Sequence, residues 1–273
     1  MNPRADARHA DRASIPRYFQ VAAHERWRRI DFISDLHLAE DMPRTFAAWE
    51  RHLLDTPADA VYILGDLFEV WVGDDARHRA FGRRCIDVLS EAASHRTIGI
   101  MVGNRDFLLG GAMLRDCGAL ALPDPTLLVA WGQRILLTHG DALCLADEPY
   151  QAFRREVRSP RWQREFLARP LAERQRIAAD LRAASASRRR FDGDPDLDVD
   201  PAEAVRWLHL QGAAEMVHGH THRPGSGTLA PGYRRHVLSD WDLDRVDPGA
   251  AGRAEVLRLT RDGFARVPPS RGR

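Results

Sequence analysis

Five short apolar runs, each closed at once by Asp, Asn or His, constrain the fold of this chain more than any other feature. Arg29 to Ser34 runs into Asp35-Leu36-His37, Ala60 to Leu64 into Gly65-Asp66, and Thr97 to Val102 into Gly103-Asn104-Arg105-Asp106. Arg134 to Thr138 runs into His139-Gly140-Asp141, and Glu215 to Val217 into His218-Gly219-His220-Thr221-His222. Such runs read as buried strands, and open α/β sheets carry their chemistry at the carboxyl ends of their strands. Phe46, Trp49 and Leu53 fall at helical spacing, and Phe81 to Leu89 also reads as a helix. The expectation is an α/β chain whose single site is assembled from many strand ends.

Leu127 to Ala130 and Arg134 to Thr138 flank Trp131-Gly132-Gln133, which predicts a hairpin. Arg234 to Ser239 and Val256 to Leu259 read as further strands, the second followed by an Arg/Pro-rich tail. Asp200-Pro201 has the form of an N-cap and first-turn proline opening a helix through Leu210.

At 273 residues the chain accommodates one main domain with an appended subdomain. Hydrophobic residues at 44% and charged residues at 29% exclude wholesale disorder. No apolar run approaches the roughly 20 residues of a membrane-spanning helix. Met1 to Arg26 is polar, Arg/Ala-rich and without a signal-peptide core, so residues 1–26 are assigned to a flexible tail. Cys85, Cys117 and Cys144 lack CxxC spacing and read as small buried thiols.

The formal net charge of +1 hides an uneven distribution, and every cation is Arg because the sequence contains no Lys. Between Tyr150 and Arg190 stand twelve Arg and four acids, a local balance of +8 that leaves −7 for the remainder. Tyr150, Phe153 and Val157, then Trp162 and Phe166, then Ile177 and Leu181 fall at helical spacings, which predicts two or three amphipathic helices. Asp192, Asp194, Asp196, Asp198, Asp200 and Glu203 mimic a calcium loop, but Leu197 stands where the turn needs Gly and Pro195 interrupts it, so a solvated linker is expected. The division is therefore a core of residues 27–148 and 201–268, with residues 149–200 inserted as helices and linker.

Asp, His and Asn in one site suit divalent ions with oxygen and imidazole ligands, such as Mn²⁺, Fe²⁺ or Zn²⁺. The candidates are Asp35, His37, Asp66, Asn104, His139, His218 and His220. Seven side chains exceed one tetrahedral ion with an open position, whereas two ions sharing one carboxylate use them all. Clustering Asp35 and Asp66 in a cleft also demands neutralising cations. The role of His222 is left open. Glu69, Asp74, Asp75 and Asp141 either support the ligands or cap turns.

In order, DLH, GD, GN, HGD and HGHTH resemble the calcineurin-like metallophosphoesterases, in which D-x-H, GD, GN, H and G-H-x-H elements surround two metals. The resemblance spans Asp31 to about Trp241. It implies a four-layer α/β/β/α sandwich with an inserted helical lid. It also implies one metal on Asp35, His37 and His220, another on Asn104, His139 and His218, and Asp66 bridging.

GDLFEVWVGDD (Gly65 to Asp75), GNRDF, HGDALCLAD (His139 to Asp147), GHTHRP (Gly219 to Pro224) and VLSDW (Val237 to Trp241) narrow the resemblance to the UDP-2,3-diacylglucosamine pyrophosphohydrolases of lipid A biosynthesis. That branch implies a Mn²⁺-dependent enzyme whose activated water attacks the α-phosphorus, giving UMP and 2,3-diacylglucosamine 1-phosphate. Asp66, Asn104, Arg105 and His218 would carry catalysis. Asn104, Arg105, Asp147, Ser185, Arg189 and His218 would contact the acylated sugar nucleotide. Where the family commonly has a histidine acid after GN, this chain has Arg105, suited to binding two phosphate oxygens.

The basic segment would form a lid over the acyl chains, with an Arg-rich exterior for peripheral attachment to the cytoplasmic face of the inner membrane. Around Arg188, Arg189, Arg190 and Asp192 the family's lysine has no counterpart. No nucleic acid is expected, since no reading module accompanies the Arg-rich segment, and no obligate protein partner is inferred. Another nucleotide or phosphoprotein substrate, or a catalytically silent scaffold of the same fold, are the competing readings.

Overall fold

The computed structural model describes residues 18–192, 198–245 and 252–270, except for the side chains of 182–192. In chain order the first half runs β1 (Phe19–Ala22), β2 (Ile30–Ile33), α1 (Pro43–Asp55), β3 (Ala60–Leu64), α2 (Ala80–His95), β4 (Thr97–Met101), α3 (Gly111–Cys117), β5 (Leu120–Ala121), β6 (Thr126–Ala130) and β7 (Gln133–Leu137). The second half runs α4 (Glu148–Val157), α5 (Pro160–Leu167), α6 (Leu171–Asp192), α7 (Pro201–Gln211), β8 (Glu215–His218), β9 (Gly225–Ala230), β10 (Tyr233–Val237), β11 (Val256–Thr260) and β12 (Gly263–Val267).

Among the described residues the strands form two six-stranded sheets, ordered β1-β6-β7-β8-β10-β9 and β12-β11-β2-β3-β4-β5. β2, β3 and β4 are parallel, as are β7, β8 and β10, so the chemistry-bearing ends of each set point the same way within their sheet. Successive residues of these strands face opposite sides, and both sides are apolar because each sheet is covered twice. Ile33, Val61, Ile63 and Ile100 pack under Phe46, Trp49 and Leu53 of α1 and Leu89 of α2. Phe32, Tyr62 and Leu64 meet Leu128, Ile135, Leu137 and Val217 between the sheets. Leu127, Leu136 and Met216 pack under Trp207 and Leu208 of α7. These three apolar layers define the expected α/β/β/α order.

The hairpin forms as expected, with Trp131 and Gly132 both at positive φ, the conformation a two-residue turn between twisted strands requires. Asp200 caps α7 by accepting from the Glu203 amide at 2.7 Å, and Asp198 pairs with Arg235 at 2.6 Å. The remainder of the calcium-loop mimic, from Gly193 to Leu197, lies outside the described residues. The inserted segment forms α4, α5 and α6, and all three cysteines are buried and free.

One boundary needs correction. Phe19–Ala22, assigned to the tail that ended at Arg26, is a strand, pairing in parallel with Thr126–Val129. Its residues are mostly exposed, so backbone pairing at a sheet edge, rather than a burial pattern, holds it there. β12 likewise extends the sheet beyond the last expected strand.

α1 carries a buried histidine with a measurable consequence. The fully buried His52 lies 3.4 Å from the Asp31 carboxylate, which two nitrogens of Arg258 already satisfy at 2.7 and 2.8 Å. Burial, against the attraction of Asp31, pushes the His52 imidazole down to about 4. The unfolded chain, with an ordinary value of about 6.5, therefore binds the proton more readily. Stability from this group is complete above about pH 6.5 and is lost as pH falls through 4, on the order of 3 kcal/mol in all. Urea unfolding at about pH 7 and about pH 4.5 should show a smaller acid loss in His52→Gln than in the unsubstituted chain. Equal losses would contradict this account.

Candidate metal centre

The strand ends converge. Asp35 follows β2, Asp66 follows β3, Asn104 follows β4, His139 follows β7, and His220 and His222 follow β8. At the turns after these strands, Asp35, His37, Asp66, His220 and His222 all adopt positive φ, between 48° and 67°. This left-handed region costs about 1–3 kcal/mol for a residue with a side chain, and such strain persists where surroundings fix it for a purpose. The preceding glycines allow the close approach. A Cβ on Gly103 would strike the Asp66 carboxylate, and one on Gly219 would strike Asp35 Oδ2 and Ser34 Oγ.

The side chains form two adjoining groups. The ligand atoms of Asp35, His37 and His222 lie within 4.8 Å of one another, as do those of Asp35, Asp66 and His139. His222 Nε2 is 3.3 Å from both Asp35 Oδ1 and His37 Nε2. Asp66 faces both groups, with Oδ2 at 4.0 Å from His37 Nε2 and Oδ1 at 3.8 Å from His139 Nε2. Asn104 Oδ1 lies 3.0 Å from His139 Nε2 and 2.9 Å from His220 Nδ1. The backbone amides of His220 and Arg105 donate to Asp35 and Asp66, at 3.0 and 2.8 Å, so each carboxylate is anchored to a neighbouring loop.

His218 does not join this cluster, which corrects the expected ligand set. β8 alternates faces, so His218 shares the side of Met216, under α7, while Val217 lies between the sheets. Its Nδ1 donates to Gly219 O at 3.0 Å, and its Nε2 has no hydrogen-bond partner among the described residues. Burial pushes its imidazole down to about 4, with Arg235 lowering it and Asp198 and Asp35 raising it by smaller amounts. The histidines that reach the cluster are His220 and His222, one position later in the alternate-histidine series. Their left-handed backbone is the signal that separates them from His218.

Electrostatics describes a site that attracts positive charge. Burial alone would raise the Asp35 carboxyl, but hydrogen bonding and charge from His222, with His139 and His37 behind it, hold it well below the ordinary range. The fully buried His139 is raised to about 9 because Asp66, Asp35 and Asp141 outweigh its desolvation. His220 is pushed down to about 3 by burial and by His139 beside it. Buried oxygen and imidazole donors around carboxylates suit divalent ions, and no thiolate takes part. The residues present therefore fit two divalent cations, one beside Asp35, His37 and His222, the other beside Asn104, His139 and His220, with Asp66 facing both.

Several further groups support these side chains, of which Asp106, Tyr150, Arg154 and Arg158 were not among the supporting candidates read from the sequence. Asp106, fully buried, accepts from the amides of Gly103 at 2.7 Å and Leu67 at 2.8 Å, tying the GN and GD loops together. Burial and the Asp66 charge raise it to about 6. Asp141 accepts from Tyr150 Oη at 2.6 Å and Arg154 at 2.8 Å, which fastens α4 beside the His139 loop. Arg158 donates to Gly103 O at 2.9 Å. Glu69 stands 3.1 Å from His37 Nδ1 and orients that ring. Asp74, by contrast, accepts from the amides of Gly110, Ala112 and Met113 at the start of α3, and Asp75 pairs with the buried Arg174 of α6.

Of the expected substrate contacts, Arg105 adjoins Asn104, and its guanidinium has no partner among the described residues. Asp147 accepts from the Tyr150 amide at 3.0 Å as the N-cap of α4. The side chains of Ser185 and Arg189 lie outside the described residues.

Comparison with known proteins gives the family to which these motifs belong. A family model described as calcineurin-like phosphoesterase matches residues 28–224. UDP-2,3-diacylglucosamine hydrolase of Chromobacterium violaceum is 42% identical over 88% of this chain and 98% of its own length. The proteins of the same name from Ralstonia nicotianae and Pseudomonas aeruginosa are 45% and 42% identical, over 87% and 77% of this chain and 91% and 90% of theirs. Among solved structures, Vps29 of Cryptosporidium parvum covers 86% of each chain at 13% identity and a TM-score of 0.44, a distant likeness. With the order of its strand-end motifs, the family model over residues 28–224 and relatives above 40% identity over most of the chain, the chain belongs to the calcineurin-like phosphoesterase family.

Proposed function

We propose that the protein hydrolyses the pyrophosphate bond of UDP-2,3-diacylglucosamine, releasing UMP and 2,3-diacylglucosamine 1-phosphate. The observation that carries this reading is the Asn104-Arg105 turn. The Arg105 amide fixes Asp66 while its guanidinium stands unpartnered among the described residues, where a planar fork can take two phosphate oxygens. The names of relatives above 40% identity point to the same substrate.

When bound, two divalent cations, with Mn²⁺ the favoured ion, would supply a water of lowered pKa and stabilise charge developing on phosphate oxygens. The chain's own groups do the rest. Asp35, His37, Asp66, Asn104, His139, His220 and His222 hold those charges in place. Arg105 orients the pyrophosphate and offsets its charge. A phosphate leaving group needs less protonation than an alcohol, so a histidine acid after Asn104 is dispensable.

The inserted helices suit a diacylated ligand and act as its lid in this reading. Phe166 of α5 is buried against Val72 and Leu108 of the core, with Val70, Phe107, Trp162, Leu171 and Ile177 packed alongside. A cavity of about 240 Å³ opens between Val70, Val72 and Ala76 of the core and Gln175 and Ala179 of α6. Leu145, Leu167 and Leu181 are exposed around an arginine-rich exterior, which favours peripheral contact with an anionic cytoplasmic membrane face. No described helix is long and apolar enough to cross a membrane.

The test is release of UMP from the lipid substrate with and without Mn²⁺. Mn²⁺-dependent release, with much weaker turnover of soluble UDP-sugars, is the expected result. In isotopically heavy water the label should enter UMP, as attack on the α-phosphorus demands. Turnover of simple phosphomonoesters alone would reject the substrate, and absence of both metal uptake and hydrolysis would favour a silent scaffold.

A further inference from the structure

A second constellation of reactive side chains lies apart from the metal centre. Glu215 opens β8, whereas the metal centre follows that strand's carboxyl end. Ser226 on β9 stands directly opposite His236 on β10, and His236 stands opposite Val217 on β8. Glu215, two residues before Val217, therefore shares the face of His236. Ser226 Oγ is 2.8 Å from His236 Nδ1, and His236 Nε2 is 2.8 Å from Glu215 Oε2.

The three groups line a cavity of about 330 Å³ together with Gln133, Arg234 and Phe264. The His236 ring is buried and packed against Phe264, with ring centroids 4.1 Å apart, so its orientation is fixed. Ser226, by contrast, is exposed. The Arg234 guanidinium has no partner among the described residues.

We propose that Ser226, His236 and Glu215 form a second catalytic site, in which nucleophile, base and orienting carboxylate hydrolyse small carboxylic esters. The pattern is that of an activated serine, with the hydroxyl in reach of a base that a third group holds. Glu215 accepts the Nε2 proton, which leaves the Nδ1 lone pair facing the Ser226 hydroxyl. Burial, against Glu215, lowers the His236 imidazole and keeps it neutral, ready to accept a proton.

Ser226 Oγ bonds to the ester carbonyl carbon as its proton passes to Nδ1. The carbon–oxygen bond to the alcohol then breaks, and the departing alkoxide takes that proton. Water next attacks the acyl carbon and gives a proton to Nδ1. Oγ leaves with that proton, so one ester and one water become one alcohol and one carboxylic acid. The Arg234 guanidinium is the donor for charge developing on the carbonyl oxygen. The cavity stands at the small end of ligand sites, which restricts the acyl group to a short one.

The experiment uses the full chain loaded with Mn²⁺, p-nitrophenyl acetate as the ester and a fluorophosphonate as the serine probe. The probe is expected to attach to Ser226, located by peptide mass spectrometry. Ser226→Ala should lower ester hydrolysis by about 10²-fold or more and leave metal-dependent phosphoesterase turnover unchanged. His236→Asn should lose probe attachment as well. Attachment elsewhere or none at all, or undiminished ester hydrolysis by Ser226→Ala, would overturn the proposal. Probe attachment is read on the unsubstituted chain, so the test does not depend on how any variant folds.

Discussion

Alanine in place of Asp66 is expected to lower hydrolysis by on the order of 10³-fold or more, because its carboxylate faces both halves of the cluster. Its two oxygens lie 4.0 and 3.8 Å from ring nitrogens of His37 and His139. Loss of a single preorganised electrostatic group already costs about 10²–10³-fold, and here the group serves two cation positions. The substitution also strands the Arg105 amide, at about 1–3 kcal/mol of stability. Asp66→Asn separates the two effects, since its oxygen still accepts from Arg105 while the charge is gone. It should fold as the unsubstituted chain does and remain inactive with reduced metal content. Turnover of Asp66→Asn within about tenfold of the unsubstituted chain would count against a shared carboxylate.

The second large effect separates two neighbouring histidines. His222→Ala should reduce turnover by about 10²-fold or more, because it removes a donor 3.3 Å from both Asp35 and His37. His218→Asn should stay within about tenfold, because that ring lies on the α7 side of β8 and affects packing first. Its penalty should appear in thermal unfolding rather than in turnover. Parallel kinetics and melting curves decide the matter, and an inactive His218→Asn beside an active His222→Ala would reverse the assignment.

That contrast marks where sequence reading succeeds and where it stops. The five turns of the candidate site were legible because each follows an apolar strand, and burial on both faces forces that run of residues. His218-Gly219-His220-Thr221-His222 offers two placements of the same spacing. The G-H-x-H element begins at Gly219 and so already selects His220 and His222 over His218, and the end of β8 and the left-handed φ of His220 and His222 agree with that placement.

Asp106 and Asp141 were not separable from turn-capping acids, since their work consists of contacts with loops or helices distant in the chain. β1 escaped notice because an exposed edge strand leaves no alternation to read. The α/β/β/α layering was implied by the family resemblance, whereas the strand pattern alone gave only an α/β chain. The use of Tyr150 to link α4 to Asp141 depended on a fold-level approach that spacing does not encode.

Anomalous scattering at the manganese edge, from crystals grown with Mn²⁺, tests the central claim most directly. Two peaks are expected about 3.5–4 Å apart, both within coordinating distance of Asp66. His222 should lie at one and His220 at the other. A single peak, a pair without Asp66 between them, or a peak on His218 would contradict the account.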